Sequence, residues 1–180
     1  MMGVLIFVAV AALVLALLAF VVSNRIHYRE SLTIAATPER VFAAVQCQED
    51  LMAWSAWPAA TNSTCRVVGP DNQVGTTIEF ITKGKVSGSQ TVTEIVPGER
   101  VTVALADPSP FGQRPFVTFH VRPAGAASTE VTLEFVNTIR RPFQLLLKGA
   151  GIVRWVRKLH CKDLAGLKVF CERQQTPNKT

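Results

Sequence analysis

The chain has 180 residues, with 19 Lys or Arg against 13 Asp or Glu and a formal net charge of +6. Setting aside an apolar opening segment leaves about 155 residues, the size of one domain with a single core. From Arg140 onward ten Lys or Arg face two acids, Asp163 and Glu172, whereas residues 1–139 carry nine against eleven. The basic character is therefore a property of the C-terminal segment. Cysteines stand at positions 47, 65, 161 and 171, with no CxxC pair and no zinc-finger histidine spacing. Free thiols in a reducing compartment are the expected state, with a Cys47–Cys65 bridge as the alternative.

Residues 3–22 (GVLIFVAVAALVLALLAFVV) contain no charged or strongly polar side chain. As a helix they span roughly 30 Å, the thickness of a bilayer's hydrocarbon core. A cleaved signal peptide is the rival reading, but the run is too long for an h-region of about 7–15 residues and no Lys or Arg precedes it. Residues 1–23 are thus expected to form a transmembrane helix. Arg25, Arg29 and Arg40 follow it, so the positive-inside bias places the remaining chain in the cytoplasm.

Residues 28–35 (YRESLTIA) alternate as a strand. Thr37-Pro38 then reads as a helix N-cap with proline at the first helical position, and Val41, Phe42 and Val45 form the apolar face. A second short helix is expected over residues 49–53, ahead of Trp54 and Trp57. The chain then turns β-rich. Residues 76–80, 91–96, 101–105, 116–121 and 129–136 each alternate, and Pro97-Gly98-Glu99-Arg100 turns the second into the third. Such one-sided alternation describes an antiparallel sheet with one face covered. The cover is the last element: residues 152–173 place apolar side chains at 152, 155, 156, 159, 164, 167 and 170, a helical period. Gly149 and Gly151 break it from a short segment at 142–148. Residues 175–180 read as a disordered polar tail.

Four stretches carry a family resemblance. Thr37-Pro38-Glu39-Arg40-Val41-Phe42 follows the first strand. Leu51, Trp54, Trp57 and Pro58 are similar to an L-x-x-W-x-x-W-x-P pattern, with Pro58 directly after the second Trp. Val92-Thr93-Glu94 precedes Pro97-Gly98-Glu99-Arg100-Val101, and Leu164-Ala165-Gly166-Leu167-Lys168 falls in the last helix. In this order they resemble the START-like (SRPBCC) superfamily and its polyketide cyclase/dehydrase group, whose members often carry one N-terminal apolar helix. The resemblance implies an α+β helix-grip fold over residues 24–174. In it a curved antiparallel sheet of about seven strands wraps the C-terminal helix and encloses an apolar cavity. It does not imply a reaction.

Trp54, Trp57, Phe80, Leu105, Phe119, Phe135, Trp155 and Leu159 are the expected ligand-binding residues, each also plausible as core. Ile78, Val103 and Leu133 share their inward faces, and a pocket of about 300–1,000 Å³ is expected. Catalytic signals are missing: no GxSxG, no phosphate loop and no carboxylate pair. His27 lies beside the first helix, His120 alternates with inward residues and His160 sits in a basic stretch. Glu94 shares a strand face with Val92 and Val96 and is the one carboxylate that an inward reading would raise in pKa, against an ordinary exposed glutamate. No cofactor or metal site is expected. Arg154, Arg157, Lys158 and Lys162 form a basic face, set opposite Trp155 and Leu159, that suits anionic lipid, with simple solvation as the alternative. Nucleic acid is set aside because no aromatic residue is expected among them. The leading function is a membrane-anchored domain binding a lipid or other hydrophobic small molecule. The rivals are a cyclase- or dehydratase-type enzyme and a membrane protein whose domain binds a protein partner.

Overall fold

A computed structural model describes residues 1–106 and 115–173, so the expected tail at 175–180 lies outside the described residues. The first helix, α1 (Met2–Val21), is 20 residues long and leaves nearly every side chain exposed, with only Ala19 buried. Among the described residues it is the one helix long and apolar enough to cross a bilayer. Strand β1 (Arg25–Ile34) follows after three residues and begins earlier than its alternation suggests. The reason is its partner: its pairing with the last strand continues from Ile34↔Thr129 to Arg25↔Thr138, so His27 and Ile26 are held by the ladder.

Helix α2 (Pro38–Gln46) opens as expected, with the Thr37 hydroxyl accepting the Arg40 N–H at 3.4 Å and Pro38 in the first turn. Helix α3 (Gln48–Trp54) and the single turn α4 (Trp57–Thr61) come next. Six further strands are β2 (Thr64–Val68), β3 (Thr77–Thr82), β4 (Lys85–Val96), β5 (Arg100–Ala106), β6 (Phe116–Gly125) and β7 (Ser128–Thr138). They form one antiparallel, seven-stranded sheet in the order β1-β7-β6-β5-β4-β3-β2. Helices α5 (Phe143–Gly149) and α6 (Ile152–Arg173) complete the chain. Gly151 separates them at φ 73°, a left-handed conformation that glycine reaches without strain.

The sheet decides between the two readings of Glu94 in favour of the exposed one. A register shift between Val92 and Glu94 pairs Val92 with Val103 but Glu94 with Thr102. This bulge turns Glu94 outward. Its carboxylate is exposed and bonded by both Arg100 Nε (3.1 Å) and Nη2 (2.9 Å), which lower its pKa instead of raising it.

The core lies between the sheet and α6, with Ile34, Ile78, Leu133, Leu164 and Leu167 fully buried. Where α6 crosses α3 the helices approach so closely that a Cβ on Gly166 would stand 2.1 Å from the Trp54 carbonyl oxygen. Backbone, not a flexible side chain, occupies that space. Gly166→Ala should therefore separate the two helices and destabilise the domain by about 1–3 kcal/mol, the usual cost of overpacking. A thermal melt monitored by circular dichroism reads this, and an unchanged midpoint would contradict the close packing.

Candidate functional site

The curved sheet and α6 do not close completely on each other. Between them lies a cavity of about 420 Å³, within the usual range of ligand sites. Phe80 of β3, Leu105 of β5 and Phe135 of β7 supply the sheet side of its wall, and Leu147 of α5 with Ile152 and Val156 of α6 supply the other. Trp57 stands at one end. A larger depression of about 470 Å³ lies between α3 and α6, around Gly166 and Phe170, but it is shallow and open to solvent. Of the two, the first is the deeper and the less open.

The cavity is apolar with a few fixed polar atoms. Gln90 donates its Nε2 to Gln48 Oε1 at 3.1 Å, a buried amide pair. Asn137 also faces the wall, and its Oδ1 is buried without a hydrogen-bond partner. Among the described lining residues there is no charged side chain. Such a surface favours an uncharged guest, because burying an unpaired charge costs several kcal/mol.

A polar cluster stands behind the inner end. Tyr28 Oη and His160 Nδ1 share a hydrogen bond of 2.8 Å, and the His160 ring lies 5.2 Å from Phe135 and 5.8 Å from Trp57. Burial pushes His160 down to about 4, and burial likewise pushes Tyr28 upward, opposed by the nearby Arg157 guanidinium. One turn along α6, burial pushes Asp163 up to about 6. Bonds from the Ala56 N–H (2.7 Å), the Ser55 hydroxyl (3.1 Å) and the Trp57 side chain offset that rise in part. Asp163 thereby straps the loop before α4 to α6. The void touched by His160, Asp163, Gln90 and Phe119 is only about 20 Å³, room for about one water and not for a substrate.

Of the eight expected ligand-binding residues, the structure brings Trp57, Phe80, Leu105 and Phe135 together in the cavity wall. Trp54 and Phe119 lie deeper, edge to face with centroids 5.9 Å apart, and border the small void, and Trp54 also lines the open depression beside Gly166. Leu159 is buried outside the wall, and Trp155 is 46% exposed with its ring edge against Trp57. Trp155 sits about a quarter turn from the buried stripe of Leu159, His160, Asp163 and Leu167, so the helical period alone overstates its burial. Arg154, Lys158 and Lys162 are exposed and, among the described residues, make no ion pair, whereas Arg157 pairs with Glu30. Trp155 stands among these basic residues, contrary to the expectation that they lie opposite it. A single Trp braced on another ring is still no row of stacking platforms for nucleic acid.

Asn137, Ile139 and Gln90 were not anticipated in the wall, nor His160 and Asp163 behind it. Ile152 and Val156 carry an i, i+4 signal that points to them. The Gln48–Gln90 pair spans 42 positions and has no local signal. His27 and His120 meet on the outer sheet face, where Glu134 accepts from His27 (2.7 Å), Arg29 (2.9 Å) and His120 (3.1 Å). The Arg29 hydrogen bond, with those of the two histidines, holds Glu134 down at about 2. Among the described residues no cluster of His, Cys, Asp or Glu is arranged to hold a metal, and all four cysteines are free thiols.

Seven antiparallel strands curved around one long helix, with an apolar cavity between them, define a helix-grip domain. The chain belongs to the family described as polyketide cyclase / dehydrase and lipid transport, which matches residues 25–172. Solved structures repeat the fold. Norcoclaurine synthase from Thalictrum flavum, in complex with dopamine and hydroxybenzaldehyde, is 13% identical with a TM-score of 0.61, over 84% of this chain and 89% of its own. The Zhui aromatase/cyclase from a Streptomyces species is 14% identical with a TM-score of 0.60, over 86% and 98%. A Chromobacterium violaceum protein is 19% identical with a TM-score of 0.57, over 81% and 96%. No curated protein matches the chain.

Asp163 and His160 give opposite pH slopes. The folded-state pKa of Asp163 lies above its unfolded value of 3.8, so its contribution is present at low pH and lost as pH rises from 3.8 through about 6. That of His160 lies below its unfolded value of 6.5, so its contribution is lost as pH falls from 6.5 through about 4. The two oppose each other in the wild type. Asp163→Asn removes the falling component, so its stability should climb more steeply than wild type between pH 4 and 6.5. Urea unfolding at stepped pH measures this, and parallel curves would show that Asp163 is not the raised group.

Proposed function

We propose that the protein is a membrane-anchored binding domain that holds a lipid or another uncharged hydrophobic small molecule between α6 and the sheet. The observation that carries this reading is the cavity of about 420 Å³ with its aromatic and aliphatic wall. A guest with an uncharged, largely apolar body fits such a wall. The names of the related structures fit a small-molecule site, since an aromatase/cyclase and a synthase with small aromatic ligands use the same fold, although both are enzymes. A cavity of this size weighs against a domain that serves only to dock a protein partner, which needs none.

An enzymatic cyclase- or dehydratase-type reading has one specific support, the buried Tyr28–His160 pair with Asp163 nearby. Against it stands the space available. The reacting atoms of a substrate do not fit in a void of about 20 Å³, and Asp163 is committed to the backbone of the α4 loop.

Leu105→Trp tests the binder by filling the cavity from its wall. Native mass spectrometry of the full chain, with detergent stripped in the gas phase, should show a small-molecule adduct on the wild type. The variant should lose at least 90% of it while keeping its circular dichroism spectrum. A wild type that never carries an adduct, even after incubation with long-chain alcohols, would count against the reading.

The anchor itself is α1, whose 18-residue apolar window has a mean hydropathy of 3.3. The flanking Arg25 and Arg29 favour a cytoplasmic domain. A phosphatase fused after residue 180 should be inactive and a fluorescent protein there bright. The reverse pattern places the domain on the other side, and a shortened mature chain reveals a cleaved signal.

A further inference from the structure

The connection between α1 and the domain is not a free linker. A helix leaves its last four carbonyls without intrahelical partners, and here side chains of the α5 segment take up two of them and a third carbonyl just beyond the helix. Gln144, fully buried, donates its Nε2 to the Ala19 carbonyl at 2.7 Å. Arg141 donates to the Phe20 carbonyl at 3.4 Å with its guanidinium 5.5 Å from the Phe20 ring, and Lys148 Nζ donates to the Ser23 carbonyl. Asn24 and Ile139 then bond in both directions, Ile139 N–H to the Asn24 carbonyl at 2.9 Å and Asn24 Nδ2 to the Ile139 carbonyl at 3.2 Å. Ile139 is itself part of the cavity wall, so one residue joins the end of α1 to the binding site.

Strand register puts the cavity at the same end of the sheet. His27 pairs with Val136, Val136 with Phe116, and Phe116 with Ala104, one residue before Leu105 in the wall. Beyond that row lie Arg25 on one edge and the exposed rim residue Ala106 on the other side. The opposite end, with Glu99 in its turn, points away from α1. Around the α1 end, Leu146 is 60%, Ile152 41% and Trp155 46% exposed. The segment that carries them, residues 140–158, has six Lys or Arg and no acid. Exposed aliphatics, a Trp and basic side chains beside the end of an apolar span match the composition of a surface seated in lipid head groups.

We infer that α5 and the first turns of α6 form a plate seated on an anionic bilayer, which holds the cavity mouth against the membrane so that the guest passes directly between lipid and cavity. This rests on the anchored-binder reading above. It moves the contact from the Lys158–Lys162 side of α6 to the α5–α6 corner, with Arg141, Lys148 and Arg154 meeting lipid phosphate. Ile152, shared by the mouth and the plate, is the side chain a guest passes.

The test uses the full chain in vesicles of phosphatidylcholine and phosphatidylglycerol. The photoreactive residue p-benzoylphenylalanine replaces Leu146, Ile152 or, as the control, Glu99. Irradiation should add a phospholipid mass at positions 146 and 152 at least tenfold more often than at 99. Equal labelling at all three positions, or labelling at none, overturns the plate. A chain that does not float with the vesicles overturns the anchor beneath it. Neither result touches the cavity, whose occupancy the native mass spectra read separately. A double variant, Gln144→Ala with Lys148→Ala, should lower labelling at 152 at least threefold while the protein still floats, and unchanged labelling would show that the α5 bonds do not set the orientation.

Discussion

Helix α6 is gripped over its C-terminal half and overhangs at its start. Leu164, Leu167 and Cys171 are buried, and Gly166 lets the Trp54 carbonyl reach the helix. At the first turns Ile152 and Trp155 are instead over 40% exposed. A straight helix cannot follow a strongly curved sheet along its whole length, so contact at one end leaves a gap at the other. The gap is the cavity. Its position is thus set by where α3 and α6 touch, and its walls follow from which strands lie under the overhang. Sealing the gap would take a longer α5 or larger side chains than Leu147 and Val156, and the chain supplies neither.

The buried polar groups sit at the junction between the gripped and overhanging parts. Asp163 binds the Ala56 N–H and the Ser55 hydroxyl, His160 binds Tyr28, and Gln48 binds Gln90. Each ties a loop or strand edge to an element it would otherwise leave. Buried polar groups with partners fix geometry, at a cost that an apolar contact of equal size does not carry. For Asp163 and His160 that cost shows as displaced pKa values of opposite sense, the expected signature of two groups held in uncharged or marginally charged form. The strap keeps Trp57 at the cavity end, so Asp163 and His160 support the apolar site from behind, whereas Gln90 is itself part of the wall.

Much of the fold is legible from local chemistry. Thr37-Pro38 marks a helix start because a cap and a fixed φ are local properties, and residues 152–173 read as a helix because their period is sustained over six turns. The wall residues Phe80, Leu105 and Phe135 follow from strand alternation, and Trp57 from its place beside them. The misses have physical causes. β2 carries an Arg and only five residues, and α4 is one turn held by Asp163 from 107 positions away. His160 reads as basic surface in sequence because its partner, Tyr28, is 132 residues distant. Glu94 was open to an inward reading because alternation assumes an unbroken ladder, and a bulge breaks it. Trp155 shares the helical period of the core, yet period alone gives direction and not what lies opposite. Here the ring rests on Trp57 and is otherwise open to solvent.

Attachment constrains use. A domain on a long flexible linker samples all orientations, and its cavity would exchange with water as readily as with lipid. Here three residues separate α1 from β1, and two of them, Ser23 and Asn24, are bonded to Lys148 and Ile139. Reorienting the domain would break these contacts and expose Gln144, whose amide is fully buried against the end of α1. Each such bond exchanged for water costs about 0.5–1.5 kcal/mol net, and several must open together. The orientation of the domain relative to α1 is therefore a property of the fold. On the proposed seating, a guest that spends its free life in lipid would meet the mouth by lateral diffusion, and the uncharged wall of the cavity suits a ligand too apolar to cross water.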